Sequence, residues 1–96
     1  MSEMQTPDQI KSNRFALEAA VICCLLQDWK KTRDLCDEFW ISVFDFGFEE
    51  NRMAFACAYF GNKPQNWNEY SERLPTADNA RNYVEELHTA KENFFR

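Results

Sequence analysis

The sequence predicts an all-α fold, a compact domain of four to five helices around a central apolar N-terminal helix. Three observations lead there. Residues 15–26 are apolar at helical spacing nearly all the way round. Leu35, Phe39, Val43 and Phe46 recur at i, i+4, i+8 and i+11, and Tyr83, Leu87, Ala90 and Phe94 repeat the pattern near the C-terminus. The only two glycines, Gly47 and Gly61, stand where periodic stretches stop.

Taken in order, residues 1–5 are expected to fray. Thr6-Pro7-Asp8-Gln9 reads as a helix start, with Thr6 as cap, Pro7 at the first helical position and Gln9 closing a capping box. The first helix is expected to run to about Lys31. Phe15, Ala19, Ile22 and Leu26 form one stripe and Leu17, Val21, Cys24 and Leu25 another, so this helix should be buried on several sides. Thr32-Arg33-Asp34 reads as a second start. Leu35 opens an amphipathic helix that Cys36, Trp40 and Phe44 widen, with Asp34, Asp37, Glu38 and Asp45 on its far side and Gly47 as its end.

Residues 39–60 carry a second reading. Phe44, Phe46 and Phe48 alternate with Asp45 and Gly47, and Met53, Phe55, Cys57 and Tyr59 alternate with alanines, as in a hairpin of 39–47 with 52–60 and an α+β fold. The alanines and the Phe55–Tyr59 spacing favour helices. Gly61 to Asn66 reads as a loop, Trp67 to Leu74 as a short helix stopped before Pro75, and Thr76 as the start of the last helix. One domain spans 1–96, without repeats or linkers.

Composition bounds the function. The chain has 96 residues and a net charge of −5, from 11 basic and 16 acidic side chains. Residues 1–48 hold 5 basic and 8 acidic side chains and residues 49–96 hold 6 and 8, so neither half is a charged tail. Binding of phosphate backbones needs a clustered cationic face. The basic residues Lys11, Arg14, Lys30, Lys31 and Arg33 do not form one, and direct nucleic-acid binding is disfavoured. The longest uniformly apolar run, Ala19 to Leu26, is far short of the roughly 20 residues of a membrane span. The N-terminus lacks signal-peptide character, and a cytoplasmic location is expected. Four cysteines, Cys23, Cys24, Cys36 and Cys57, lie in apolar context without a Cys-x-x-Cys pair, as buried thiols in a reducing compartment.

Chemistry-bearing motifs are missing. Cys23 and Cys24 diverge by about 100° on a helix and do not chelate one ion. His88 is the only imidazole and borders an apolar stripe, where a hydrogen bond to Glu85 or Glu92 suits it. No glycine-rich loop can cradle a phosphate. The pairs Asp37-Glu38, Glu49-Glu50 and Glu85-Glu86 read as solvated surface. No enzyme activity, cofactor or metal is therefore expected, and protein binding is the expected role. Eight of the 15 aromatic residues lie in 35–60. Trp67 and Tyr70 stand among polar residues after a Pro-containing loop, as interface anchors do; the alternative is that Trp67 lids the core. Phe46 and Phe48 flank the Gly47 break, and one of them is expected outside as part of an association site.

In size, acidity and lack of motif the chain is similar to small phage- or mobile-element-encoded proteins that block or redirect host nucleases and CRISPR complexes. No motif carries that likeness, so no family and no residue roles follow from it. It implies an inhibitor or adaptor in a host–virus interaction. Three alternatives remain: an acidic DNA-mimic decoy using Asp34, Asp37, Glu38 and Asp45, a small helical nucleic-acid-binding regulator, and a self-associating protein.

Overall fold

The computed structural model describes residues 13–65, 68 and 75–94, with side chains described as far as residue 90. They form four α-helices: α1 (Arg14–Gln27), α2 (Trp29–Glu38), α3 (Glu49–Tyr59) and α4 (Ala80–Phe94). Two short 3-10 turns, Val43–Asp45 and Ala77–Asn79, precede α3 and α4. No strand occurs among the described residues. The fold is all-α, and the hairpin over 39–60 does not form. Ala54, Phe55 and Ala58 instead share the buried face of α3.

α1 is the central helix. Every residue from Ala20 to Leu25 is buried, and α2, α3 and α4 all pack on it. Leu17, Val21, Ile22 and Leu25 each contribute roughly 1.5–3 kcal/mol of transfer free energy. Asn13 caps α1, its side chain accepting from the Ala16 N–H at 3.2 Å. The start read at Thr6 lies outside the described residues.

The chain turns earlier than its periodicity suggests. α1 stops at Asp28, whose N–H still donates to the Cys24 carbonyl while its carboxylate accepts from the Lys31 N–H and opens α2. Thr32, expected as the cap, is fully buried, and its hydroxyl donates to the same Cys24 carbonyl at 3.1 Å. A single helix through 13–38 would carry the apolar face of α2 away from the core. The corner at Asp28 lays Leu35 and Cys36 back on it.

α2 ends at Glu38 and does not continue to Gly47. Its last turn closes in a Schellman motif: the Trp40 N–H donates to the Asp37 carbonyl at 3.3 Å and the Ile41 N–H to the Cys36 carbonyl at 2.8 Å. Ser42 and Asp45 then reverse the chain. The Ser42 N–H donates to Asp45 Oδ2 at 2.7 Å, and the Ser42 hydroxyl accepts from the Phe44 N–H. This delivers Ile41 and Phe46 to the core, where Phe46 stacks on Phe55 with centroids 4.4 Å apart. The helical spacing of Leu35, Phe39, Val43, Phe55 and Tyr59 predicts all five in the core; Leu35 and Phe55 are buried there, while Phe39, Val43 and Tyr59 pack half-buried at its rim.

The last helix docks through Ala80, Tyr83, Val84 and Leu87. Gln27 fixes its approach: the amide donates to the Pro75 carbonyl and accepts from the Ala77 N–H. Of the helix read over Trp67–Leu74 only Asn68 is described, and the side chain of Phe94 lies outside the described side chains. No described helix is long and apolar enough to cross a membrane.

Candidate functional site

The segment between α2 and α3, residues 39–48, is short and aromatic, and it points both ways. Ile41, Asp45 and Phe46 face inward, whereas Trp40 and Phe44 are 79 % and 88 % exposed. The turn that carries these two rings is fastened to a buried carboxylate.

Glu18, in the middle of α1, is 0 % exposed. An uncompensated charge there would be prohibitive. Its Oε2 accepts from Arg14 Nε at 2.9 Å and from the Gly47 N–H at 2.8 Å, and its Oε1 accepts from the Asn51 amide at 3.2 Å. Arg14 Nη2 also donates to the Asp45 carbonyl at 2.7 Å. From α3, Arg52 Nε and Nη2 donate to the Phe46 carbonyl at 3.3 and 3.2 Å. Side chains of α1 and α3 thus bind the backbone of three successive residues, 45 to 47. Gly47 therefore serves as an N–H donor and not as a helix terminator. A Cβ there would meet Glu18 Oε2 at an ordinary 3.5 Å.

Trp40 is the unusual residue. It is the only described non-glycine with positive φ, at 58°. It occupies the C′ position of the Schellman motif, where glycine is usual because an L side chain there costs roughly 1–2 kcal/mol. The same chain supplies the comparison. α3 ends in the same motif, with the Gly61 N–H donating to the Ala58 carbonyl at 3.0 Å and the Asn62 N–H to the Cys57 carbonyl at 2.9 Å. There the left-handed residue is Gly61, φ 83°. One helix end uses the relaxed residue. The other tolerates strain and places a mostly exposed indole.

The residues singled out from sequence distribute unevenly. Trp67 and Tyr70 lie outside the described residues and side chains. Phe46 is 1 % exposed and belongs to the core, so it is no contact residue. Phe48 is the member of that pair left outside, 43 % exposed, with its ring edge-on to Phe15 at 5.0 Å. Asp34, Asp37 and Glu38 are exposed on α2. Asp37 accepts from the Tyr59 hydroxyl, which holds the phenol above its ordinary pKa, and Glu38 pairs with Arg81 at 3.2 Å. Asp45 does not join them. It is buried in the turn and caps it, because α2 ends before reaching it. The four-carboxylate row of the acidic-decoy reading is therefore not built.

Periodicity puts Trp40 and Phe44 on the apolar face of a longer α2. Only the early helix end turns them outward. A second aromatic edge lies at the end of α3, where Phe60 is exposed beside Tyr59 and Trp29 Nε1 donates to the Tyr59 carbonyl at 3.0 Å.

Other chemistry finds little support in the geometry. Burial pushes the thiols of Cys23, Cys24 and Cys36 up to about 12, the opposite of nucleophilic activation. His88 is half-buried against the Phe39 ring at 5.8 Å. No group of three His, Cys, Asp or Glu side chains able to hold a metal occurs among the described residues.

Fold and site together define a small all-helical domain that displays a fastened aromatic turn. No protein family, curated protein or solved structure matches the chain.

Proposed function

We propose that this is a non-catalytic protein-binding module, a small inhibitor or adaptor of a larger enzyme, and that the 39–48 turn is its contact surface with Trp40 and Phe44 as anchors. One observation carries the reading. Trp40 accepts a strained left-handed backbone at a helix end and gains little burial in return, while the matching position of α3 is glycine. Strain kept at an aromatic that stays mostly exposed is what a binding role explains. The fastening by Glu18, Arg14 and Arg52 supports it further, since a preorganised loop loses less entropy on binding.

The test is affinity capture from the native host's lysate, analysed by mass spectrometry. The parent should retain a defined protein that the Trp40→Ala/Phe44→Ala double variant does not retain. A double variant with unchanged capture removes the turn from the interface. A parent that retains only itself counts against the reading as a whole.

A further inference from the structure

α3 is apolar on two opposite faces. Ala54, Phe55 and Ala58 are buried in the core, with Asn51 beside them. On the far side Met53, Ala56, Cys57 and Phe60 fall within an arc of about 100°. Met53 and Phe60 are 65 % and 74 % exposed, Ala56 is exposed and Cys57 is half-buried. Phe60 is the C-cap of the helix, its ring edge-on to Tyr59 with centroids 5.3 Å apart. An exposed apolar stripe of this kind marks an association site.

The spacing of the stripe says what fits it. Residues at i, i+3, i+4 and i+7 frame one hole of the kind that receives a single large side chain from a facing helix. Met53, Ala56, Cys57 and Phe60 are such a set, with Ala56 leaving the space between two large residues. The same stripe ends in a large exposed ring. Knob and hole thus lie on one surface, and such a surface is complementary to itself about a two-fold axis, where each knob meets the other copy's hole. We propose that the chain forms a dimer through α3, the two helices antiparallel, with Phe60 of each copy seated among Met53, Ala56, Cys57 and Phe60 of the other. The axis then passes at the level of Ala58, midway between Ala56 and Phe60. Antiparallel helices set their dipoles head to tail, and each Met53 thioether meets a Phe60 ring. Alanine at the crossing lets the helix axes approach toward the short end of about 8–10 Å. The interface is small, below about 1,200 Å² in total, so the association is weak and reversible. It is separate from the 39–48 turn and does not depend on the turn binding a partner.

The test is sedimentation of the full chain across a concentration series from about 5 µM to about 1 mM, the range in which weak dimers form. The parent should pass from monomer to dimer. Ala56→Glu, which fills the hole, and Phe60→Ser, which removes the knob, should each weaken association at least about tenfold. Both positions are exposed, so the thermal melt followed by circular dichroism should stay in place. Trp40→Ala/Phe44→Ala should leave association unchanged. A short bismaleimide should link two parent chains through Cys57 at concentrations where the dimer is present, and Cys57→Ser should abolish the link. A parent that stays monomeric to about 1 mM overturns the proposal, as does assembly beyond the dimer. Association that survives Ala56→Glu and Phe60→Ser, or that is lost in Trp40→Ala/Phe44→Ala, overturns α3 as its surface. A dimer that Cys57 does not cross-link overturns the antiparallel arrangement.

Discussion

At the residue scale, two positions show how stability and placement diverge. Gly61 and Trp40 hold the same left-handed corner of the same motif. Gly61→Ala should lower stability by about 1 kcal/mol, because an alanine pays the left-handed conformation while its Cβ meets the Trp29 ring at an unstrained 3.8 Å. Trp40→Gly should do the reverse and raise stability by about 0.5–1 kcal/mol in urea denaturation, while removing partner capture. A Trp40→Gly protein less stable than the parent would make the ring structural. Glu18 is the third such residue. Glu18→Ala leaves the Asn51 amide, the Gly47 N–H and Arg14 without their shared acceptor, and should cost roughly 3–5 kcal/mol. Glu18→Gln preserves shape and should instead show itself as faster amide hydrogen exchange at Gly47, with the α1 core still protected.

At the scale of the element, caps decide where helices stop, and the stops decide what is displayed. Asp28 closes α1 and opens α2 in a single residue. Asp28→Ala should lower stability by about 1 kcal/mol, measured by urea denaturation, with the helix content seen by circular dichroism little changed. The same logic governs the end of α2. Its apolar spacing runs on past Glu38 to Phe46, so the periodic signal promises a longer helix. The competing signal is the Ser42–Asp45 capping box, together with a buried site for Phe46 that a continuing helix could not reach. Periodicity reports which residues are apolar. It does not report which of them the turn will leave in water.

Across the whole molecule, the buried thiols tie stability to pH. Cys23, Cys24 and Cys36 are pushed up to about 12 from an ordinary 9.0, chiefly by burial. Between these values the folded state keeps protons that the unfolded chain has released, so it binds more protons and stability falls as pH rises. Stability should hold to about pH 9 and then decline by up to about 4 kcal/mol per pH unit, three protons at roughly 1.4 kcal/mol each. The Tyr83 phenol, raised by burial, acts in the same direction at higher pH. Urea titrations through the alkaline range check this, and Cys36→Ala should flatten the decline. In the native state a thiol reagent at neutral pH should label half-buried Cys57 well before the other three.

The all-α class, the central apolar α1, the core roles of Leu35 and Phe55, and the glycine end of α3 are legible in the sequence. Each rests on interactions between residues a few positions apart, which periodicity and propensity encode directly. Of Phe46 and Phe48, which flank Gly47 and of which one is expected outside, Phe48 is the exposed one, but Trp40 and Phe44 are more exposed still and carry no such signal. That outcome depends on long-range packing. Glu18 reads as one acid on an apolar helix until α3 and the turn bring it Asn51 and the Gly47 N–H. These partners are 33 and 29 residues away. Trp40 reads as one more core aromatic until α2 stops short and its backbone turns left-handed. Both are consequences of long-range closure, and no local pattern in the chain records them.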